Sequence, residues 1–519
     1  MAESIAPQKT STKSKRFVRN VLWSWSAVAA NLAIALVLNP YMIRKLGAER
    51  YGLWALIFTI IDYFWFFDLG LNPAITNFCA RYRASGETEK INEVINTALF
   101  YFSCICVAAI MLTLALANSV QGFFRVSPAY RAEFSILIKI TGISWAICIV
   151  MNMFVSALEG FQRFDLESRI WVGALILRAA GYFLILKRGY GLVAMALVYV
   201  SVQMLAYICN IESFRRVFQS LRFSRTLVKA GVFREIVSYG LKSFLANGAT
   251  LVLNQSGPVL IGHYEPTQFV GFYTLPSRIL QYAGDAVSRV GIVTRSSAAE
   301  LSALGETESV VRLGVYSNRY SLALFMPLAI LLLVYGRDLI LRWVGPAFAT
   351  YSAPLLPIFL TSTMLVLAGQ FNSSSLLYGM GRHGGYARAV AFEALLNVAG
   401  MVYVIPRYGI MGAAVISSGF ALAVRGIYTP WLVCHNLDFG FVPYLSRIYL
   451  RPLLTAVPVA LLALLVKFRW IPGRTWPQLS LAALLIGVGY GSLALFTCIE
   501  REHRELLLSR IPLVGEHLA

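Results

Sequence analysis

Arg278, Asp285 and Arg289 fall within a mostly apolar run that begins near Gln268. Ionisable side chains there are costly, so they face a cavity or a partner rather than lipid. At 100° per residue, positions 0, 7 and 11 of one helix point within about 40° of each other, so the three form one stripe. Tyr282 continues the stripe and Gln281 lies beside it. Arginine forks match phosphate oxygens bidentately, and in a poorly solvated site such bonds are strong, so the stripe suits an anion. The plainer expectation is that Arg289 snorkels to the interface while Arg278 pairs with Asp285. Three further cations, Arg178, Lys242 and Arg425, sit inside apolar runs. Lys242 is close enough to an interface to snorkel, Arg178 can serve helix packing, and Arg425 is deep enough to line a cavity. The embedded acids are Asp62, Asp68, Asp285 and Glu393. Asp68 stands four residues before Asn72-Pro73, so a carboxylate and an amide share a helix face beside an expected proline kink. Such a pair would bind a proton or a sodium ion, or cap backbone that the kink frees.

The elements that carry these residues must be membrane helices. The chain has 519 residues, 58% of them hydrophobic and 13% charged, and a mean hydropathy of +0.66. Continuous apolar runs of 18 or more residues recur, long enough to cross a bilayer as helices, whereas barrel strands alternate over about 10 residues. The apolar run that follows Lys9–Arg19 leads straight on into the first repeat, so it reads as an uncleaved first helix. The seven cysteines show no CxxC spacing, and no metal site or cofactor is expected. No GxGxxG, Walker or HExxH sequence is present. The excess of basic residues, 45 Lys+Arg against 25 Asp+Glu, points to positive-inside loops and anionic lipid contact rather than nucleic acid.

Tyr51–Glu89 recurs as Val270–Glu308 in a register of 219 residues, which carries Gly86-Glu87-Thr88-Glu89 onto an identical Gly305-Glu306-Thr307-Glu308. The same register takes Gly160 to Gly379 and Arg163 to Arg382, and a one-residue slip later aligns Tyr190-Gly191-Leu192 with Tyr408-Gly409-Ile410. The chain is an internal duplication. Fourteen spans are expected: six in an amino-terminal lobe (18–212), six in a carboxy-terminal lobe (237–434) and two more in 435–499. An even number of spans per copy makes the repeats parallel. A basic amino terminus (1–17), a basic linker (213–236) on the lipid surface or simply solvated, and a tail (500–519) complete the chain. Flanks and loops on the side of the termini hold 26 Lys/Arg against 14 on the other, so both termini are expected in the cytoplasm.

These features together are similar to one family. They comprise the doubled six-helix half, the Leu46-Gly47…Tyr51-Gly52 turn, Asp68-Leu69-Gly70-Leu71, the two Tyr-Gly-(Leu/Ile) turns, and Gly160-Phe161-Gln162-Arg163 with Gly379-Met380-Gly381-Arg382. They resemble the polysaccharide transporters of the MATE-like flippase superfamily. That resemblance implies an all-α membrane protein with two six-helix lobes in a V around a central cavity. It implies alternating-access transfer of an undecaprenyl-diphosphate-linked glycan, such as an O-antigen or exopolysaccharide unit, to the outer leaflet of a bacterial inner membrane, often with an ion gradient. Membrane lipids and polysaccharide polymerase or export machinery are the implied partners. Arg278, Arg289, Arg425, Arg178, Lys242, Gln281 and Tyr282 are then the expected diphosphate and cavity contacts, with Asp68, Asp285, Glu393 and Asp62 the ion-coupling candidates. Tyr63, Trp65, Tyr273 and Tyr282 are candidates to stack on sugars. A multidrug/cation antiporter on the same scaffold would want an acidic or aromatic cavity. A polytopic glycosyltransferase or polymerase would want a large loop with acids or histidines, and the longest internal loop is short and basic.

Overall fold

The computed structural model describes residues 8–68 and 70–508, and every regular element among them is helical. The first half contains α1 (Gln8–Tyr63), α2 (Leu71–Ser85), α3 (Thr88–Leu116), α4 (Arg131–Gly160), α5 (Phe164–Lys187) and α6 (Leu192–Val217). The second contains α7 (Ala230–Tyr264), α8 (Gln268–Ala303), α9 (Thr307–Val344), α10 (Leu355–Ser362), α11 (Gly369–Gly379), α12 (Gly384–Ala421) and α13 (Thr429–Leu437). The appended pair is α14 (Phe441–Arg469) and α15 (Trp476–Thr497), followed by the short α16 (Arg501–Leu508). Among the described residues, ten segments are long and apolar enough to cross a membrane. Two of them, Ala33–Asp68 and Gly384–Leu437, each hold a pair of expected spans joined across a glycine. Gly47 (φ 81°, ψ 168°) and Gly409 (φ 56°, ψ −146°) leave helical geometry there, so each long element is two helices joined at a kink. Helices α7 and α8 occupy the seventh and eighth expected spans.

The chain divides into two compact units, the first running to Leu251 and including Pro266–Gln268, the second holding Val252–Glu265 and Phe269 onward. The duplication is visible inside each. Gly86 and Gly305 both have φ 75°, and Gln162 (φ 57°) corresponds to Gly381 (φ 69°). Gly160 permits a crossing where an added Cβ would lie 2.7 Å from Thr76 O and 2.8 Å from Cys79. At Gly379 the added Cβ would meet Arg295 O at 2.5 Å and Ala298 at 2.9 Å, the same contacts 219 residues on. Both crossings need a residue without a side chain, which explains why the motif survives in both copies.

The first unit packs around Phe78, Ile95, Phe102, Met153, Phe154, Leu158 and Phe214, and the second around Val315, Leu376, Leu377, Val433 and Tyr444. Large apolar side chains also stand outward, among them Leu454, Leu461, Leu465, Phe468 and Leu484 on α14 and α15. Such faces suit hydrocarbon and would be a liability in water. The basic linker is tied down by polar side chains at the start of α3. Asn92 Oδ1 accepts from Arg222 N at 2.8 Å, Asn96 Oδ1 from Ser224 N at 2.9 Å and Thr97 Oγ1 from Lys229 N at 3.0 Å. Three of its backbone N–H groups are therefore held by the protein. The appended helices are tied to α9 through Glu500, whose Oε1 meets buried Arg319 at 3.1 Å and Arg451 of α14 at 3.0 Å.

Candidate functional site

The second span breaks where the sequence places Asp68. Phe64–Asp68 tightens into a 3-10 turn, Gly70 takes a left-handed conformation (φ 73°, ψ 15°), and α2 starts afresh at Leu71. Gly70 also lies against the backbone of Gly240 on α7, where an added Cβ would be 2.3 Å from the carbonyl oxygen. Glycine makes the break, not Pro73 as the sequence suggested. Pro73 sits in the first turn of α2, where its missing N–H costs nothing.

The new helix start needs an acceptor for its free N–H groups, and Asp68 supplies it. Asp68 Oδ1 accepts from Asn72 N at 3.3 Å and from Asn72 Nδ2 at 2.7 Å. Both bonds fall on one oxygen, so Oδ2 is the oxygen available to the neighbouring space. The ladder continues along one face of α2 against α4. Ser156 Oγ donates to Asn72 Oδ1 at 3.0 Å, and the Thr76 hydroxyl lies 3.0 Å from Ser156 O and 3.2 Å from Glu159 Oε2. That hydroxyl has one proton, so it chooses between them. Asp68, Asn72, Thr76, Asn152, Ser156 and Glu159 line a cavity of about 630 Å³ inside the first unit. Two carboxylates at either end of a hydrogen-bonded ladder, in a chamber among membrane helices, can hold a proton or a hydrated monovalent cation. Buried carboxylates are costly unless protonated or paired. Among the described residues, no group of three His, Cys, Asp or Glu side chains is placed to hold a metal ion.

The second unit brings Glu393 and Arg425 together, although they are 32 residues apart in sequence. Arg425 lies on a π-helical turn, Leu422–Tyr428, and its Nε and Nη2 reach Glu393 Oε1 at 3.1 and 2.9 Å. Glu393 is fully buried while the Arg425 side chain is 33% exposed. Each is the other's counter-ion, so neither is an independent ion or anion site. Arg278 and Gln281 are exposed on α8, and Tyr282 is half-buried. Helix α8 runs unbroken through Pro276. Arg178 lies over the ring of Tyr199 at 5.3 Å, and Asp62 is exposed near the end of α1. Tyr273 is buried, edge-on to Phe359 at 5.2 Å, and is not a sugar platform. Tyr63 is stacked on Phe66 at 6.0 Å. The side chains of Lys242, Asp285, Arg289 and Trp65 lie outside the described residues.

Glu159, Thr76, Ser156 and Asn152 were missed in the sequence. The register itself carried a signal for two of them, because it pairs Thr76 and Glu159 with the chemically different Arg295 and Tyr378.

A family model described as "Polysaccharide biosynthesis protein" matches residues 17–288. The uncharacterized membrane protein EpsK of Bacillus subtilis (strain 168) is 22% identical over 521 residues, covering 95% of this chain and 98% of that protein. The putative O-antigen transporter of Shigella flexneri is 19% identical over 418 residues, covering 80% of this chain and 97% of that protein. Among solved structures, the lipid II flippase MurJ in an inward closed conformation superposes with a TM-score of 0.74 at 13% identity, over 94% of this chain and 100% of that one. A multidrug resistance MATE family transporter in an inward-facing conformation gives 0.67 at 14% identity, over 79% and 99%. At such identities the likeness shows the fold alone: an all-helical, MATE-like membrane scaffold.

Proposed function

Because the chain belongs to the polysaccharide biosynthesis protein family, whose model matches more than half of it, we propose that it flips a polyprenyl-diphosphate-linked oligosaccharide from the cytoplasmic to the outer leaflet. The names of its relatives, an O-antigen transporter and a lipid II flippase, support that substrate class. The observation that carries the reading is Arg278, an exposed arginine ten residues into α8, about 15 Å along the helix at 1.5 Å per residue. Midplane depth is where transporter sites tend to lie. Arg278, with Gln281 and Tyr282 beside it, contacts the diphosphate while the polyprenol stays in lipid. Arg425 contributes once the diphosphate competes with Glu393 for its guanidinium. The Asp68–Glu159 chamber takes up a proton or a monovalent cation and couples transfer to its gradient. The charge bias of the loops supports cytoplasmic termini in a bacterial inner membrane. Polymerase or export machinery is the expected consumer of the flipped glycan.

The test is a leaflet-resolved assay in proteoliposomes with a fluorescent polyprenyl-diphosphate glycan and an imposed proton or sodium gradient. Protein-dependent, gradient-accelerated appearance in the far leaflet is the expected result. No transfer under any gradient, with the protein folded, defeats the reading.

A further inference from the structure

The duplication allows the turns of the two units to be compared. In the first unit, three turns converge on the side opposite the expected position of the termini. Arg50 Nε pairs with Glu133 Oε2 at 3.4 Å, and the guanidinium lies over Tyr130 at 5.2 Å. Glu133 Oε1 also lies 3.4 Å from where a Cβ on Gly191 would sit, beside the Tyr-Gly turn. An ion pair closes this junction.

The second unit builds the equivalent junction differently. The 219-residue register puts Phe269 where Arg50 stands, so the guanidinium is gone. A carboxylate is still present, now from Glu265, whose Oε1 lies 3.4 Å from the Cβ position of Gly409 in the second Tyr-Gly turn. Glu265 forms no ion pair among the described residues. In place of a closed contact there is a cleft of about 290 Å³, lined by Glu265, Phe269, Thr350, Tyr351 and Tyr408 among others. Tyr408 is 68% exposed and Tyr351 45%. Phe272 stacks on Tyr351 at 4.9 Å and Phe269 meets it edge-on at 5.3 Å, so the ring is held in place.

We propose that this cleft is a sugar subsite for one neutral or N-acetylated hexose ring. Its volume falls just below the range of ligand pockets, about 300–1,000 Å³, as one ring rather than a whole ligand requires. A fixed aromatic ring offers its face to the C–H face of a pyranose. A carboxylate with no ion pair among the described residues accepts from two sugar hydroxyls, and such charge-assisted bonds are the strong ones. The same carboxylate repels phosphate and would be left desolvated under an acyl chain, so neither end of a lipid suits the cleft. The inference rests on the flippase reading for its role, which is to receive a sugar of the glycan on the far side of the membrane and contribute to glycan selection.

The test uses the full-length chain in lipid nanodiscs, free of sugar-headed detergents, with the methyl glycosides of glucose, galactose and N-acetylglucosamine as probes. Saturation-transfer NMR reads binding. At least one glycoside should bind, with affinity about tenfold weaker or more in Glu265→Ala and Tyr351→Ala and nearly unchanged in Tyr351→Phe, which keeps the ring. Tyr190→Ala, at the closed junction of the first unit, should bind as wild type does. The proposal is overturned if no glycoside binds the wild type, if Glu265→Ala and Tyr351→Ala bind normally, or if Tyr190→Ala abolishes binding equally. Binding does not require transport. Sugar binding at the cleft without any flipping would defeat the flippase reading alone, whereas flipping with unaltered binding in the variants would defeat the subsite alone.

Discussion

The guanidinium of Arg295 lies 4.8 Å over the ring of Tyr378, whereas the same two positions of the first unit hold Thr76 and Glu159, hydroxyl to carboxylate, at 3.2 Å. Both pairs flank the glycine crossing that the duplication preserved. One ancestral contact has thus become acidic in one copy and basic in the other. Of the other chamber residues only Ser156 keeps its type in the second copy, as Ser375, whereas Asn72 corresponds to Gly291 and Asp68 to Val287.

The first prediction concerns Asp68. Asparagine keeps an oxygen that can accept from Asn72, so Asp68→Asn should retain the start of α2, lose no more than about 1 kcal/mol of stability and insert normally. Transport should slow and lose its dependence on the imposed gradient. Glu159→Gln should act in the same direction, because it removes the other carboxylate of the chamber. Gradient dependence that survives in both variants would reduce Asp68 to a helix cap.

Gly70 and Gly86 have nearly the same φ, 73° and 75°, but only Gly70 abuts another backbone. Gly86→Ala should therefore cost about 1 kcal/mol, the penalty of a left-handed residue with a Cβ. Gly70→Ala adds a collision with Gly240 O and should cost several times more, shown as a much larger fall in thermal midpoint in detergent. Equal losses would mean that the close approach of α2 and α7 is not needed.

The Glu393–Arg425 pair separates stability from transport. Arg425→Ala leaves a fully buried carboxylate without its counter-ion and should cost up to about 3 kcal/mol. Adding Glu393→Leu removes that carboxylate and should restore most of the thermal midpoint. If Arg425 also serves the diphosphate, the double variant should be stable and still transport poorly. A stable double variant with wild-type transport would confine Arg425 to a structural role.

Much of this was legible in the sequence where the signal was periodic. The 219-residue register anticipated the paired turns and the two glycine crossings, and the Asp68–Asn72 spacing placed both residues on one helix face. What failed depended on neighbours distant in the chain. The break at Gly70 is decided by the Gly240 carbonyl on α7, so a reading confined to one helix blamed the nearby proline instead. Glu393 and Arg425 lie on separate helical segments and meet only once the chain turns at Gly409. Tyr273 looked available because aromatics in a span give no sign of which face they occupy, and packing against Phe359 settled it. Glu159 drew no notice in the sequence, because only the fold brings Thr76 beside it.

The last prediction concerns Arg278. It stands ten residues beyond Gln268 at the start of α8, about 15 Å along the helix, too deep to reach either surface comfortably by snorkelling. An arginine at that depth costs at least about 2.5 kcal/mol on insertion scales, a cost that lipid contact would not offset. Arg278 is exposed and shares its surroundings with Gln281 and Tyr282, as a side chain that meets a ligand should. Arg278→Lys keeps the charge but loses the planar fork, and Arg278→Ala loses both. If the residue binds diphosphate, transport should fall at least about tenfold in Ala, the loss expected of one charge-assisted contact worth about 1.4 kcal/mol or more. It should fall by less in Lys, with expression and melting nearly unchanged. If it serves only as the partner of Asp285, Arg278→Ala should express poorly and the added change Asp285→Ala should rescue both folding and transport. Wild-type transport by that double variant would remove Arg278 from the binding site.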